Sequence, residues 1–294
     1  MTKAKVDIHD IALVYPEGTS IEPDDVLALL DELKKIGSPK KKTELNVLLN
    51  SLGGDVYTAY KLLNILRSRA SKIRVIVPLY AKSAATLMAL GADEIVMGHQ
   101  SELGPLDAPI EHPMVEGIRL SALDGVRPLE LLASIVNEIA FAAGLQIRQK
   151  VGLGRKESIE IAMNSAVNYI SPIIAKLDPL VVNMCFRFLS VTERYGEEFL
   201  KEYMFKGKRD AQDLAESAIS ELVWEYPEHS FAISLREARR IGLTVVEAEE
   251  YPSWDRLWEE FRKLNEHAEK SLVVLEAESA ADEQGGAGDQ DGEA

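Results

Sequence analysis

The sequence predicts an α/β fold, with a parallel sheet in its first part and a mainly helical C-terminal part. Three observations predict it. Short apolar, strand-like runs alternate with amphipathic runs of helical period as far as Met97. Glycine-marked turns separate those runs. Beyond Leu120 the helical period takes over. Strands alternating with helices imply a parallel sheet with right-handed crossovers.

Ile11-Ala-Leu-Val-Tyr15 reads as a short buried strand. Glu22-Pro23-Asp24-Asp25 opens a helix, because proline suits a first turn and acids suit the positive helix end. Leu27, Leu29, Leu30, Leu33 and Ile36 give that helix an apolar face, and Gly37 ends it. Lys40–Lys42 reads as a solvated loop. Two strand–turn–helix units come next. The first is strand 45–50, turn 51–55 and helix 56–70; the second is strand 73–78, turn 79–82 and helix 83–90. Gly91 stops the second helix, and 93–97 is a third strand. Helices are then predicted over 128–150, 156–170, 178–205, 210–225 and 235–241. Residues 254–275 read as one amphipathic helix fit to cover a neighbour's surface. The last nineteen residues, from Glu276, hold seven acids and no base, a composition expected to be disordered.

The chain has 294 residues, 46% of them hydrophobic, enough for one large or two small cores. Its net charge of −15 repels phosphate backbones and argues against a nucleic-acid partner. Cys185 is the single cysteine, so there is no intrachain disulfide and no multi-cysteine metal site. It sits in an apolar run and reads as a small core residue. The five histidines are scattered, and neither a metal nor a cofactor is expected. The early charges interrupt any signal-peptide core, and no uninterrupted apolar run of spanning length is expected, so a cytoplasmic protein without a membrane span is predicted.

Two turns lie where a parallel strand hands over to a helix, the edge at which α/β sheets bind ligands. Gly53-Gly54 lets backbone N–H groups point outward with no Cβ in the way. Two such amides hold a developing oxyanion, at about 3 kcal/mol per donor. Taken alone, the pair is also a tight turn. Ser83 opens a helix straight after a buried strand. It reads either as a helix cap or as a nucleophile whose following amide, Ala84, completes an oxyanion hole. Ala81, Ala84 and Ala85 leave room for a substrate.

The segments Asn50-Ser-Leu-Gly-Gly-Asp-Val56, Ala81 to Met97 and Ser101-Glu-Leu-Gly-Pro-Leu-Asp107 together resemble the core of the Clp-protease/crotonase superfamily. Gly54 and Ser83 are 29 residues apart, as in the Clp proteolytic subunit. The chain most resembles the serine dehydrogenase proteinase family, a relative of that subunit and of signal-peptide peptidase A. The resemblance covers about residues 10–110 and 225–250. It implies the repeated ββα/βαβ core of that superfamily and peptide-bond hydrolysis by a serine nucleophile. Where the Clp subunit has its histidine, this chain has the loop ending in Asp107; near the late Clp aspartate it has His229-Ser-Phe231, then Glu237-Ala-Arg-Arg-Ile-Gly-Leu243. Histidine and aspartate have exchanged places, an order the serine dehydrogenase proteinase family shares. The resemblance therefore implies a triad of Ser83, Asp107 and His229, with His229 taking the serine proton and Asp107 orienting the imidazole.

If the backbone follows the family, Asp107 stands next to the serine and His229 one step out. His112 and His99 remain alternative bases. So does a lysine, as in signal-peptide peptidase A. Lys82 should diverge from its neighbour Ser83, while Lys150, Lys156 and Lys176 come from the helical part. The expected domains are a core over 1–118, a helical region over 119–275 whose 225–250 segment packs back on the core, and the acidic tail 276–294. The expected partners are a peptide or protein substrate and further copies of the chain, since relatives form rings or stacked oligomers. A non-catalytic scaffold and a crotonase-like acyl-CoA enzyme are the competing functions.

Overall fold

The computed structural model describes residues 6–37, 43–107, 109–111 and 119–276. The basic loop Lys40–Lys42, His112 and the acidic tail from position 277 lie outside the described residues. The first half runs β1 (Asp7–Val14), α1 (Asp25–Leu33), β2 (Thr43–Asn50), α2 (Val56–Arg67), β3 (Lys72–Val77), β4 (Tyr80–Ala81), α3 (Ala84–Leu90), β5 (Glu94–Met97), β6 (Glu102–Leu103), β7 (Pro109–Glu111) and β8 (Arg119–Ser121). The second half runs α4 (Ala122–Val151), α5 (Arg155–Ile174), α6 (Pro179–Phe199), α7 (Ala211–Ser220), β9 (Ile233–Ser234), α8 (Leu235–Arg240), β10 (Val245–Glu247), α9 (Trp254–Asn265) and β11 (Ser271–Val274). This is the α/β core with a helical C-terminal part that the sequence predicts.

Six strands form the main sheet in the order β10-β5-β3-β2-β1-β11. All neighbours are parallel except β1 and β11. The pleat divides the core in two. On one face Ile11, Leu13, Val47, Leu49, Val75 and Val77 meet α1, α2 and α3. On the other, Ala12, Val14, Leu48, Ile76 and Val96 meet Leu257 and Phe261 of α9. Adjacent strand residues point to opposite faces, so a continuous apolar run such as Ile11 to Val14 marks a strand covered on both sides.

The C-terminus departs from the expectation. The single helix predicted over 254–275 ends at Asn265, and Ser271–Val274 adds to β1 as an antiparallel edge strand. Val273 and Val274 are β-branched and favour the strand, and the open edge of β1 supplies the ladder. Lys270 anchors the turn, at 2.7 Å from buried Asp25 and 2.9 Å from Glu22. The amphipathic face of α9 therefore covers the chain's own sheet and is not left for a neighbour.

A second correction concerns α4. The expectation of no stretch of spanning length rests on uninterrupted apolar runs. Yet α4 is, by length and composition, long and apolar enough to cross a membrane, because Ala, Leu and Ile outweigh its scattered charges. It pairs with α5 in a hairpin. Leu131, Phe141, Leu145, Val151, Val167 and Tyr169 are exposed along it. Buried Cys185 of α6 packs on Gly125 of α4, and burial pushes its thiol pKa up, as suits an inert core residue.

A small sheet, β4-β6-β9, stands at one end of the main one. β4 and β6 are parallel, and β6 and β9 antiparallel. The chain leaving Ala81, the chain leaving Leu103 and the chain entering Ile233 therefore lie at the same end of this sheet. These three segments carry Ser83, Asp107 and His229.

Candidate active site

Ser83 stands between β4 and α3 with φ 52° and ψ −119°, and it is the one non-glycine residue at positive φ among the described residues. Such backbone costs of order 1–3 kcal/mol and persists only where its surroundings enforce it. The surroundings are hydrogen bonds. Ser51 N donates to Tyr80 O (3.0 Å) and Lys82 N to Ser51 O (3.0 Å), which clamps β4 to the end of β2. The buried Thr86 hydroxyl donates to Ala81 O (2.6 Å) or Gly104 O (2.9 Å) and accepts from Gly104 N (3.1 Å), tying α3 to the loop after β6. Ser83 is 4% exposed, and its side chain makes no capping hydrogen bond. The helix-cap reading of this residue therefore fails, and the hydroxyl is without a partner among the described residues.

Gly53 and Gly54 adopt φ of 110° and 148°. A Cβ on Gly53 would lie 2.9 Å from Lys82 O and 2.9 Å from Ser83 Cβ, and one on Gly54 would lie 2.3 Å from Ile21 O. Only glycine lets this turn pass so close to the serine and to Ile21. Gly53 N is occupied, donating to Ser51 Oγ at 3.0 Å, and Gly53 O accepts from Ile21 N at 2.9 Å. The amides of Gly54 and Ala84 have no partner among the described residues. Ser83, Gly54 and Ala84 line one cavity of about 370 Å³. Its walls also carry Glu22, Asp55, Leu106, Phe188 and Thr192. Phe188 and Thr192 reach it from α6 and are invisible to motif reading, because only tertiary packing brings that helix face to the sheet edge.

Asp107 is 1% exposed. His229 Nδ1 lies 2.8 Å from Asp107 Oδ1, and the Ser121 hydroxyl donates to Asp107 Oδ2. With Nδ1 taken by a buried carboxylate, the imidazole is held in the tautomer whose Nε2 is free to accept. The pair lines its own cavity, of about 140 Å³, next to that of Ser83. Strand order explains the spacing: β6, which leads to Asp107, lies beside β4, and β9 lies one strand further out. The structure thus brings Asp107 and His229 together, with Leu106 reaching the serine cavity and Asp107 the neighbouring one.

The other candidate bases are placed elsewhere. Lys82 Nζ turns from Ser83 to Glu102 (3.1 Å) and Ser230 O (3.0 Å). Lys150, Lys156, Lys176 and His99 are exposed and line neither cavity. Among the described residues no cluster of His, Cys, Asp and Glu could hold a metal ion.

Residues 24–149, which include Gly53, Gly54, Ser83, Ala84 and Asp107 but not His229, match the family model of ClpP-like SDH-type serine proteinases. An uncharacterized protein of Methanocaldococcus jannaschii is 24% identical over 214 residues, covering 72% of this chain and 57% of its own. A second from the same organism is 31% identical over 78 residues, covering 26% of this chain and 27% of its own. The chain thus spans little more than half the length of the first and about a quarter of the second. Among solved structures, a mutant of the 1510-N membrane-bound stomatin-specific protease aligns at 14% identity over 54% of this chain and 70% of that one, with a TM-score of 0.31. Another mutant of that protease, in complex with a substrate peptide, aligns at 16% identity over 54% and 66%, also with a TM-score of 0.31. The stretch 24–149, which holds the glycine turn and the strained serine, is thus similar to the ClpP-like SDH-type serine proteinases.

Proposed function

We infer that the chain is a serine endopeptidase that cleaves peptide bonds through an acyl-enzyme on Ser83. The observation that carries this reading is the buried Ser83 at positive φ, its hydroxyl unused as a helix cap and lining the same cavity as two amides that have no partner among the described residues. The amides of Gly54 and Ala84 serve as the oxyanion hole, and Gly53 shapes the turn. His229 takes the serine proton through Nε2 and returns it to the leaving amine. Asp107 holds the ring by Nδ1 and stabilises the imidazolium. Water then attacks the acyl-enzyme, with His229 again as base. No cofactor is needed for these steps.

Among the described residues the cavity walls carry Glu22 and Asp55 and neither Lys nor Arg, chemistry that disfavours the phosphates of an acyl-CoA. One observation favours a non-catalytic binding protein as the second reading: His229 lines the cavity beside that of Ser83. A fluorophosphonate probe with peptide mapping separates the two. The peptidase reading expects covalent labelling at Ser83, and an intact folded protein that stays unlabelled sinks it.

The chain is further read as a homo-oligomer that buries the exposed apolar residues of the α4–α5 hairpin between copies. Light scattering that returns the monomer mass of 32.5 kDa would contradict this. A cytoplasmic location fits the single buried thiol. Fractionation checks it.

A further inference from the structure

The beginning of α4 touches Asp107 and the segment that leads into His229. Ser121 is the N-cap of α4: its Oγ accepts from Leu123 N at 3.0 Å, and Ser121 N donates to Asp124 Oδ2 at 3.2 Å. The same hydroxyl donates to Asp107 Oδ2, while His229 holds the other carboxylate oxygen. Nearly two turns on, Arg127 spreads its guanidinium into the segment that carries the histidine. Nη2 donates to Trp224 O at 2.5 Å and Tyr226 O at 2.9 Å, and Nη1 to Pro227 O at 3.4 Å. Ser121, Arg127, Asp107 and His229 all line the cavity of about 140 Å³.

We propose that Ser121 and Arg127 are positioning residues for the Asp107–His229 pair. The Ser121 hydroxyl fixes the plane of the carboxylate, and the Arg127 fork fixes the backbone that leads into His229. A planar fork spans several carbonyls at once, whereas a lysine ammonium at the same place is a point charge on a flexible stem. No acidic partner of Arg127 accounts for its charge: among the described residues its hydrogen bonds go to carbonyls alone. Asp107 is buried and its second oxygen is held from α4, so the first two turns of that helix set the direction in which His229 Nε2 points.

The catalytic consequence rests on the peptidase reading, but the positioning is tested without it. In the Ser83→Ala protein, the low-field proton resonance of His229 Nδ1 is assigned by its loss in His229→Ala. It is expected to persist in Ser121→Thr, which keeps the hydroxyl, and to broaden or vanish in Ser121→Ala and Arg127→Lys. A sharp, unshifted resonance in both of the latter overturns the proposal. In the protein with Ser83 intact, the two variants should slow fluorophosphonate labelling by roughly 10- to 100-fold, the cost of a displaced general base. Neither should slow it further once His229 is alanine, and equal losses with and without His229 reduce both residues to a merely structural role. If the resonance depends on Ser121 and Arg127 while Ser83 never labels, the peptidase reading falls and the positioning stands.

Discussion

The two sides of the candidate site are held in different ways. Ser83, Gly53 and Gly54 are fixed by backbone: positive φ at all three, close steric contact, and main-chain hydrogen bonds between β2 and β4. The Asp107–His229 corner is fixed by side chains: an imidazole–carboxylate bond between residues 122 apart, a serine hydroxyl and an arginine fork. Backbone sterics tolerate almost no substitution. Side-chain bonds can be weakened by degrees. The nucleophile side should therefore respond to mutation in all-or-none fashion, and the acid–base side in steps.

The largest effect is expected at the nucleophile. Ser83→Ala should abolish labelling and lower peptide hydrolysis by at least about 10³-fold, as removal of an attacking group does. Its thermal midpoint should match that of the parent, because alanine meets the same backbone strain as serine. On the other side, His229→Ala should slow acylation by about 10²- to 10⁴-fold. Asp107→Asn should also slow it while leaving the fold, since the amide keeps the size of the carboxylate but turns the tautomer. A rate for His229→Ala equal to the parent's would break the comparison, leaving only the backbone half in use.

Gly54→Ala brings the comparison to stability. A Cβ 2.3 Å from Ile21 O must push the β2–α2 turn and the segment before α1 apart. The expected loss is about 2–4 kcal/mol, from overpacking and from φ 148°. Chemical denaturation reads it. Parent-like stability would mean that the turn yields more easily than its contacts imply.

The smallest effect lies in the scaffold away from both sides. Burial pushes the Glu94 pKa up, but hydrogen bonds and charge from Lys72 and Arg74 overcome it and hold the group below its ordinary value of 4.5. Burial likewise opposes, and Lys35 with the Val274 amide outweighs it, at Glu32. A carboxyl with a lowered folded-state pKa contributes stability above its unfolded pKa and loses it as pH falls through the folded one. Stability should therefore decline as pH drops below about 4.5, and Glu94→Gln should flatten that limb in a urea titration against pH.

Legibility in the sequence divides along the same line. The strands, the glycine turn and the serine elbow each leave a local mark, in runs such as Ile11-Ala-Leu-Val and in Ser-Leu-Gly-Gly. The acid–base corner leaves almost none. Asp107 and His229 are reached only through family resemblance, and the hydrogen bond from Ser121 to Asp107 and the Arg127 fork have no motif to announce them. β4, β6 and β9 are two residues each, too short to carry a period, yet they set the order serine, aspartate, histidine across the site. β11 reads as part of the amphipathic helix over 254–275 because neither glycine nor proline separates Leu272 to Leu275 from α9; only the free edge of β1 decides otherwise. Long-range pairing outweighs local preference at such places.

The central claim is that Ser83 attacks within reach of the Gly54 and Ala84 amides. A crystal structure of the fluorophosphonate adduct tests it most directly. The expected adduct has phosphorus bonded to Ser83 Oγ, with one phosphonyl oxygen about 2.7–3.1 Å from both amide nitrogens. An adduct on another residue, or one on Ser83 whose oxygen faces away from both amides, would contradict it.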